Sequence, residues 1–569
     1  MLKKYILPLI ITSILAGCGG SSTNSTTPPD PTVPTPPTSS ATTTEITGVI
    51  TGFGSVFVNG VEYETDSAKV STDDNAGASE TDLQIGMIIT LNGEINEDGT
   101  TGNASSIHYD EQIKGPLDSI DLIGNSLSVL GQTILFDDLT SLDNVILIEL
   151  IPGDFLEISG FFDADGNLYA TRIEKETEST KLKVQGMVKM LDTVNKTFTL
   201  GSLTIDYSSA VFDDFVEADL AEDQEVRVKG LSSALANDVF VVSEIKLKES
   251  KEEHENGDGK HTEGFITSFE SNSSFIVNDI HVITDENTEF EHGSVDSLML
   301  NVRVKIKGEY NSTGDLLAKE IRIHQRTNLN LEGAIQGVDL DLSTVTVLDV
   351  VFEISNQTKM KDESDRGERF FDLADLTVGD FVEIKGFIDN EGNNIATKME
   401  RKNEGDDNDT ELKGTVSNII DFSFDIVGVN VSTNENTLFE GTDGDDVTQA
   451  TFFEQLQNDM LVEVKGQVID GILVAFKVEI KENQSDDDHS DEGMHRTELR
   501  GIVEDISDQT LVVSGHDVLI TSNTEFEFND DKLPADEFWK IVVTGDQVKV
   551  KGHVSAQGII TAKSIELER

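Results

Sequence analysis

A single cysteine, Cys18, stands in 569 residues. The chain therefore has no intrachain disulfide, and no cysteine-based zinc ribbon or thiol nucleophile beyond that position. Aromatic residues are sparse as well, at 6% with one tryptophan, Trp539, and 6 tyrosines. Bases are outnumbered: 42 Lys plus Arg face 107 Asp plus Glu, a formal charge of -65. Single-stranded nucleic acid needs a basic groove with stacking rings, and this composition argues against one. Nucleic acid and anionic lipid headgroups are repelled by the chain as a whole, whereas cations and basic or neutral partners are favoured. The same charge would also keep a multidomain extracytoplasmic protein soluble.

Catalytic signatures are missing too. No nucleophile elbow, phosphate loop, zinc-binding helix or serine-histidine-acid set can be read. "GFGSVFVNG" from Gly52 lacks a third glycine at the phosphate-binding spacing, and a strand rather than a helix follows it. Carboxylate pairs occur everywhere in so acidic a chain and discriminate nothing. The sequence is read as no enzyme and as holding no cofactor.

What is present begins with an address. Residues 1–17 combine Lys3 and Lys4, a short apolar run and Leu15-Ala16-Gly17 before Cys18. The run is too short for a comfortable membrane span and has the flanks of a signal peptide. Small residues before a cysteine resemble the lipobox of bacterial lipoprotein precursors, which implies cleavage before Cys18 and its acylation. Two or more acyl chains anchor stably, each buried methylene contributing roughly 0.8 kcal/mol. Gly19 and Gly20 follow with no aspartate, and by resemblance to Gram-negative sorting this implies the outer membrane, the face being open. An ordinary secretory signal with an incidental cysteine is the alternative. Residues 18–44, rich in Ser, Thr and Pro, read as a disordered stalk.

The remainder repeats itself. "GDFLEISGFFDADGNLYATRIEK" from Gly153 and "GDFVEIKGFIDNEGNNIATKMER" from Gly379 are near-copies, and five more begin at Gly86, Asp223, Asn301, Asp459 and Gly545. Each copy closes a unit that opens on a short strand, such as "QGMVKML" at Gln185 or "EGFITSF" at Glu263. The period is two: Val302, Val304 and Ile306 share one face, while Arg303, Lys305 and Lys307 share the other. A glycine recurs after this alternation, at Gly93, Gly160, Gly230, Gly308, Gly386, Gly466 and Gly552, where a strand can bend or bulge. Five short strands, a glycine bend and a brief polar or helical insertion before the fourth predict an all-β chain of seven tandem small OB-like barrels. A sandwich or SH3-like barrel is the alternative.

On these residues, the "VxVxG...G...A..I.I" pattern above all, the chain resembles tandem-repeat bacterial lipoproteins of the domain-of-unknown-function family numbered five-six-six-six. That resemblance implies OB-like repeats and no established activity. The repeats are placed at 45–111, 112–178, 181–249, 262–326, 328–401, 410–482 and 497–569. Acidic linkers are placed at 250–261, 402–409 and 483–496, and are expected to let blocks of a rod-like string move separately.

Two groups could hold a metal. Asp163 and Asp165 in "DADGN", with Asp389 and Glu391 in "DNEGN", resemble the start of a calcium loop, but strands flank them and a hairpin turn explains the same residues. His254, His261, His489 and His495 lie among acids at the expected linkers, without a rigid frame. The sequence is thus read as a lipid-anchored envelope protein with a binding or spacing role toward an unknown envelope protein, glycan or cation. Divalent-cation sensing is the alternative, and an envelope enzyme acting on glycans ranks last.

Overall fold

The structure, a computed structural model, describes residues 44–568 apart from 73–74, 123, 178, 249–255, 404–409, 443–445, 470–471, 482–494, 508–509, 522–523, 529–530 and 555–558. Alternating Val, Ile and Phe against polar residues produces strands nearly throughout, and the repeats are numbered here one to seven. In unit five the strands are Leu329–Asp339, Thr344–Val347, Val350–Glu353, Phe381–Ile388 and Asn394–Lys402. The first pairs with the second and the second with the third, antiparallel; the third runs parallel to the last, and the last pairs with the fourth. The fourth returns to the first, closing a five-stranded barrel. Units two and six close in the same order, and matching pairs occur in units one, four and seven.

Closure turns on the glycine. In unit five Gly386 faces Ala396 across a register shift, so one extra residue, Thr397, bulges out. A Cβ on Gly386 would lie 2.0 Å from the Ile395 carbonyl oxygen, so only glycine admits this approach. The same glycine-alanine pairing with a shift recurs at Gly93, Gly160, Gly308, Gly466 and Gly552. A threonine buttresses it from below: Thr358 donates from Oγ1 to the Ala396 carbonyl at 2.8 Å, and accepts at Oγ1 from the Ser355 amide at 3.0 Å. Thr140, Thr288, Thr437 and Thr524 repeat the bond to Ala170, Ala318, Ala475 and Ala562. Units one and three depart, with Ala68 and Ala210 at the threonine's place in the same turn.

A closed barrel is not formed by unit three, which corrects the expectation of seven. Its first strand breaks into Lys181–Met187 and Lys189–Asp192. A short 3-10 turn, Ser232–Ala234, ends its fourth strand, Glu225–Leu231, just after Gly230. Its strands therefore divide between two sheets. Val242, buried in the core that units two and three share, stands where the other units have the alanine. The insertion before the fourth strand is present throughout, from Glu80–Asp82 in unit one to the helices Gln449–Gln455 and Ala535–Ile541 in units six and seven. Among the described residues no helix is long and apolar enough to cross a membrane.

The units are not strung as separate blocks. The described residues form one compact body. Unit one's first strand, Thr44–Phe53, runs parallel to unit four's, Gly259–Ser271. Unit two's first strand, Ile113–Asp121, pairs with those of units three and seven. Units five and six pair through Leu331 and Leu412 and share one apolar core, and units two and three share another. Outward faces that the alternation marks as wet are covered by neighbouring units, because Val49, Ile88, Phe161 and Phe265 form an apolar cluster where units one, two and four meet. The rings of Tyr169 and Phe265 lie 4.7 Å apart within it.

Two substitutions test the closure. Thr358→Ala leaves the Ala396 carbonyl short of a buried donor and should destabilise unit five by about 1–2 kcal/mol. Gly386→Ala, which must push the chain apart, should cost more, about 3 kcal/mol. Hydrogen exchange at 381–402 should accelerate in that order; equal protection in both variants would refute the argument.

Candidate functional site

Charged residues gather at the seams between units. At the junction of units one, two and three, the strand Phe155–Phe162 is buried on both faces, so Glu157 and Ser159, outward by alternation, are covered. Tyr109, ending unit one's last strand, donates to Glu157 at 2.9 Å and lies 3.0 Å from the Ser159 hydroxyl. Lys114 bridges Glu157 and Glu176 at 2.8 Å each. Arg172, almost fully buried, pairs with Glu174 at 2.7 Å and Asp143 at 2.8 Å. Lys183 of unit three reaches Asp110 and Glu111 at 2.8 Å.

The electrostatics follow from burial against pairing. Burial alone would raise Glu157, but Lys114, with Tyr109 and Arg172, holds the carboxyl below its usual range. Burial wins at Glu111 and Glu176, whose carboxyls are pushed up. Burial and the neighbouring Glu157 raise the Tyr109 phenol. Oxygens of Glu157, Glu174 and Glu176 come within 4.8 Å of one another, a set able to hold a cation. Beside them a cleft of about 340 Å³ opens between units two and three, lined by Glu176, Lys175, Asp154, Phe155, Leu182 and Leu235 among others.

A second seam joins units four and five to unit two. Arg303 clamps Glu263 through Nη2 at 2.6 Å and Nε at 3.1 Å, with Lys305 at 3.7 Å. Burial opposes the charge on Glu263, but Lys305 and Arg303 hold it down at about 2. His324 nearby is pushed down to about 3, by burial first and then by Arg303. The loop 137–142 of unit two receives a hand of lysines: Lys359 donates to the Leu139 carbonyl at 2.6 Å, Lys361 to Leu142 at 3.2 Å, and Lys413 pairs with Asp138 at 3.2 Å. Lys359 is buried, and burial followed by Lys398 and Arg303 lowers it to about 7.

The residues singled out from sequence are placed as follows. Asp163 accepts from the amides of Asp165 and Asn167 at 2.9 and 2.8 Å and from the Asn167 side chain at 3.0 Å. Asp389 accepts from Glu391, Asn393 and the Asn393 side chain at 2.9, 2.8 and 3.0 Å. In both turns the loop's own donors occupy the leading carboxylate, and Gly166 and Gly392 supply positive φ, 85° and 90°. Asp165 is drawn to unit four, accepting from Asn301 at 3.1 Å. His261 sits inside the strand Gly259–Ser271 rather than in a linker; burial, Lys307 and Lys260 lower it to about 4. His495 begins the strand His495–Ser507, its side chain lying outside the described residues, as do His254, His489 and Cys18. Among the described residues these candidates form no common cluster beyond the two turns themselves. The groups it does gather, Glu157, Glu174, Glu176 and Lys359, were not flagged by the sequence, where each reads as one more outward charge on a strand.

Lys359 gives a pH test. Its folded value lies below the ordinary 10.5, so the unfolded chain binds the extra proton, and stability is lost as pH falls from about 10.5 to about 7. Melting of the wild type should rise between pH 7 and 9, and Lys359→Met should flatten that rise while gaining stability at pH 7. An unchanged slope would rule out Lys359 as its source.

No curated protein matches the chain. Five of its segments, 114–174, 263–322, 332–400, 413–479 and 500–566, match the family described as a domain of unknown function, DUF5666. They fall in units two, four, five, six and seven, the five with the buttressing threonine. Because the five segments span more than half of its length, the chain belongs to this DUF5666 family.

Proposed function

We propose that the protein is a lipid-anchored, non-catalytic binding module of the cell envelope, held in the outer membrane through acylated Cys18, its barrels of OB type. The observation carrying the reading is that charged groups at the seams are matched, across units where Tyr109 meets Glu157, Lys183 meets Asp110 and Glu111, Lys260 meets Glu45 and Lys413 meets Asp138, and within a unit where Lys114 meets Glu157, Arg172 meets Glu174 and Arg303 meets Glu263. Charges spent in holding units together leave the outer faces of the barrels as the surface for an envelope protein or glycan. The strand order, with the third strand parallel to the last and an insertion before the fourth, supports the OB reading. The lipobox before Cys18 supports the anchor.

Divalent-cation binding is the second reading, favoured by the approach of Glu157, Glu174 and Glu176. Lys114 already pairs with Glu157 and Glu176, and Arg172 with Glu174, and both would have to swing away.

Expression in a Gram-negative host with an alkyne fatty acid should label the wild type and place it in the outer-membrane fraction. Cys18→Ala should be unlabelled and recovered soluble; labelling of the variant would sink the anchor. Titration calorimetry with calcium and zinc should give no heat. Heat that is abolished by Glu176→Gln would favour the cation reading instead.

A further inference from the structure

Unit three differs from its neighbours at its surface as well as in its split ring. Its smaller sheet ends on two strands that each have one neighbour in it, Lys189–Asp192 and Leu235–Ala236. From the buried Phe198 a line of rings climbs outward: Tyr207 at 5.7 Å, Phe212 a further 6.1 Å on, and Phe215 5.1 Å beyond that. The line ends among apolar side chains left to solvent, Met190 73% exposed, Val194 88%, Val211 68% and Val216 60%. Two contacts bind these segments into one surface. Lys196 pairs with Glu217 at 3.0 Å, tying the 192–196 turn to 216–219, and Glu222 accepts from the Leu191 amide at 2.6 Å.

Acids surround it. Residues 211–223, "VFDDFVEADLAED", hold Asp213, Asp214, Glu217, Asp219, Glu222 and Asp223 and no base. Lys189, Lys196 and Lys246 answer only part of that charge. Exposed apolar groups rimmed by one sign of charge mark an interaction surface, and the sign selects the partner.

We propose that this face of unit three docks a basic segment of a partner protein whose apolar side chains cover Met190, Val194 and Val216 while its lysines or arginines meet Glu217, Asp219 and Glu222. The inference rests on the binding reading above and gives it a place and a partner chemistry. Its test is separable: failed acylation at Cys18 would leave it untouched, and its failure would leave the anchor standing.

Fluorescence anisotropy with the full mature chain, in about 0.15 M salt so that long-range attraction is screened, uses three peptides, of alternating Lys-Leu, Lys-Ser and Glu-Leu. The Lys-Leu peptide should bind, with the other two at least about tenfold weaker, the loss expected when either the apolar or the charged half of a contact is removed. Val194→Ser with Val216→Ser, and separately Glu217→Gln with Glu222→Gln, should each weaken it about tenfold. The glutamine at 222 keeps an acceptor for the Leu191 amide and the one at 217 keeps an acceptor for the Lys196 ammonium, so both contacts that join the segments can persist. Ile420→Ser with Phe422→Ser in unit six, a comparable exposed apolar pair, should change nothing. Equal binding of the Lys-Ser peptide, unaltered affinity in either unit-three variant, or an equal loss in the unit-six variant would each overturn the proposal.

Discussion

The close passage of a glycine Cα over a carbonyl oxygen in the closing hairpin is the constraint on which the barrels depend. At Gly386 it bends the fourth strand so that one stretch pairs with the first strand while the hairpin beyond the bulge turns back toward the third. Without that bend the alternating strands would extend as an open sheet with unpaired edges. Thr358 fixes the far side of the bend by satisfying a carbonyl that the bulge would otherwise leave unpaired. Unit three shows the dependence from the other direction: with Ala210, Val242 and an added turn after Gly230, its strands part into two sheets.

A barrel so small buries few residues, and stability is recovered by packing barrels on one another. Unit two is central, touching units one, three and seven through its first strand or the Tyr109 network, and units five and six through loop 137–142. These seams bury charged clusters in some places and apolar contacts in others, as where Phe161 meets Phe265. Charge is used sparingly inside this acidic protein, and almost always opposite its complement. Lys359 departs from that rule. It is held by a carbonyl rather than a carboxylate, so burial lowers its proton affinity.

Much of the individual unit was legible in the sequence. The period-two pattern, the recurring glycine and the Asp-Gly turns are local, and local chemistry decides them. The threonine buttress was missed: Thr140, Thr288, Thr358, Thr437 and Thr524 each close a four-residue turn, a pattern that shows only when the units are aligned. The seams were not. Whether Glu157 faces water or Tyr109 depends on which unit lies across from it, and nothing in "FLEIS" encodes that neighbour. The same holds for His261, placed among linker acids by its sequence and within a strand by the pairing of units one and four.

The partnering of units distant in the chain also sets an order in time. Thr44 finds its parallel neighbour at Gly259, and the strand at Ile113 finds one of its partners only at Leu499 and Arg500. Such contacts carry a high loop-closure cost and come late. As the chain emerges from its amino end, unit one must wait with an open flank until the fourth unit has arrived, and unit two until the seventh. The body is therefore finished from its last unit, and a chain cut short before it leaves the earliest barrels with bare sides on which another chain could settle.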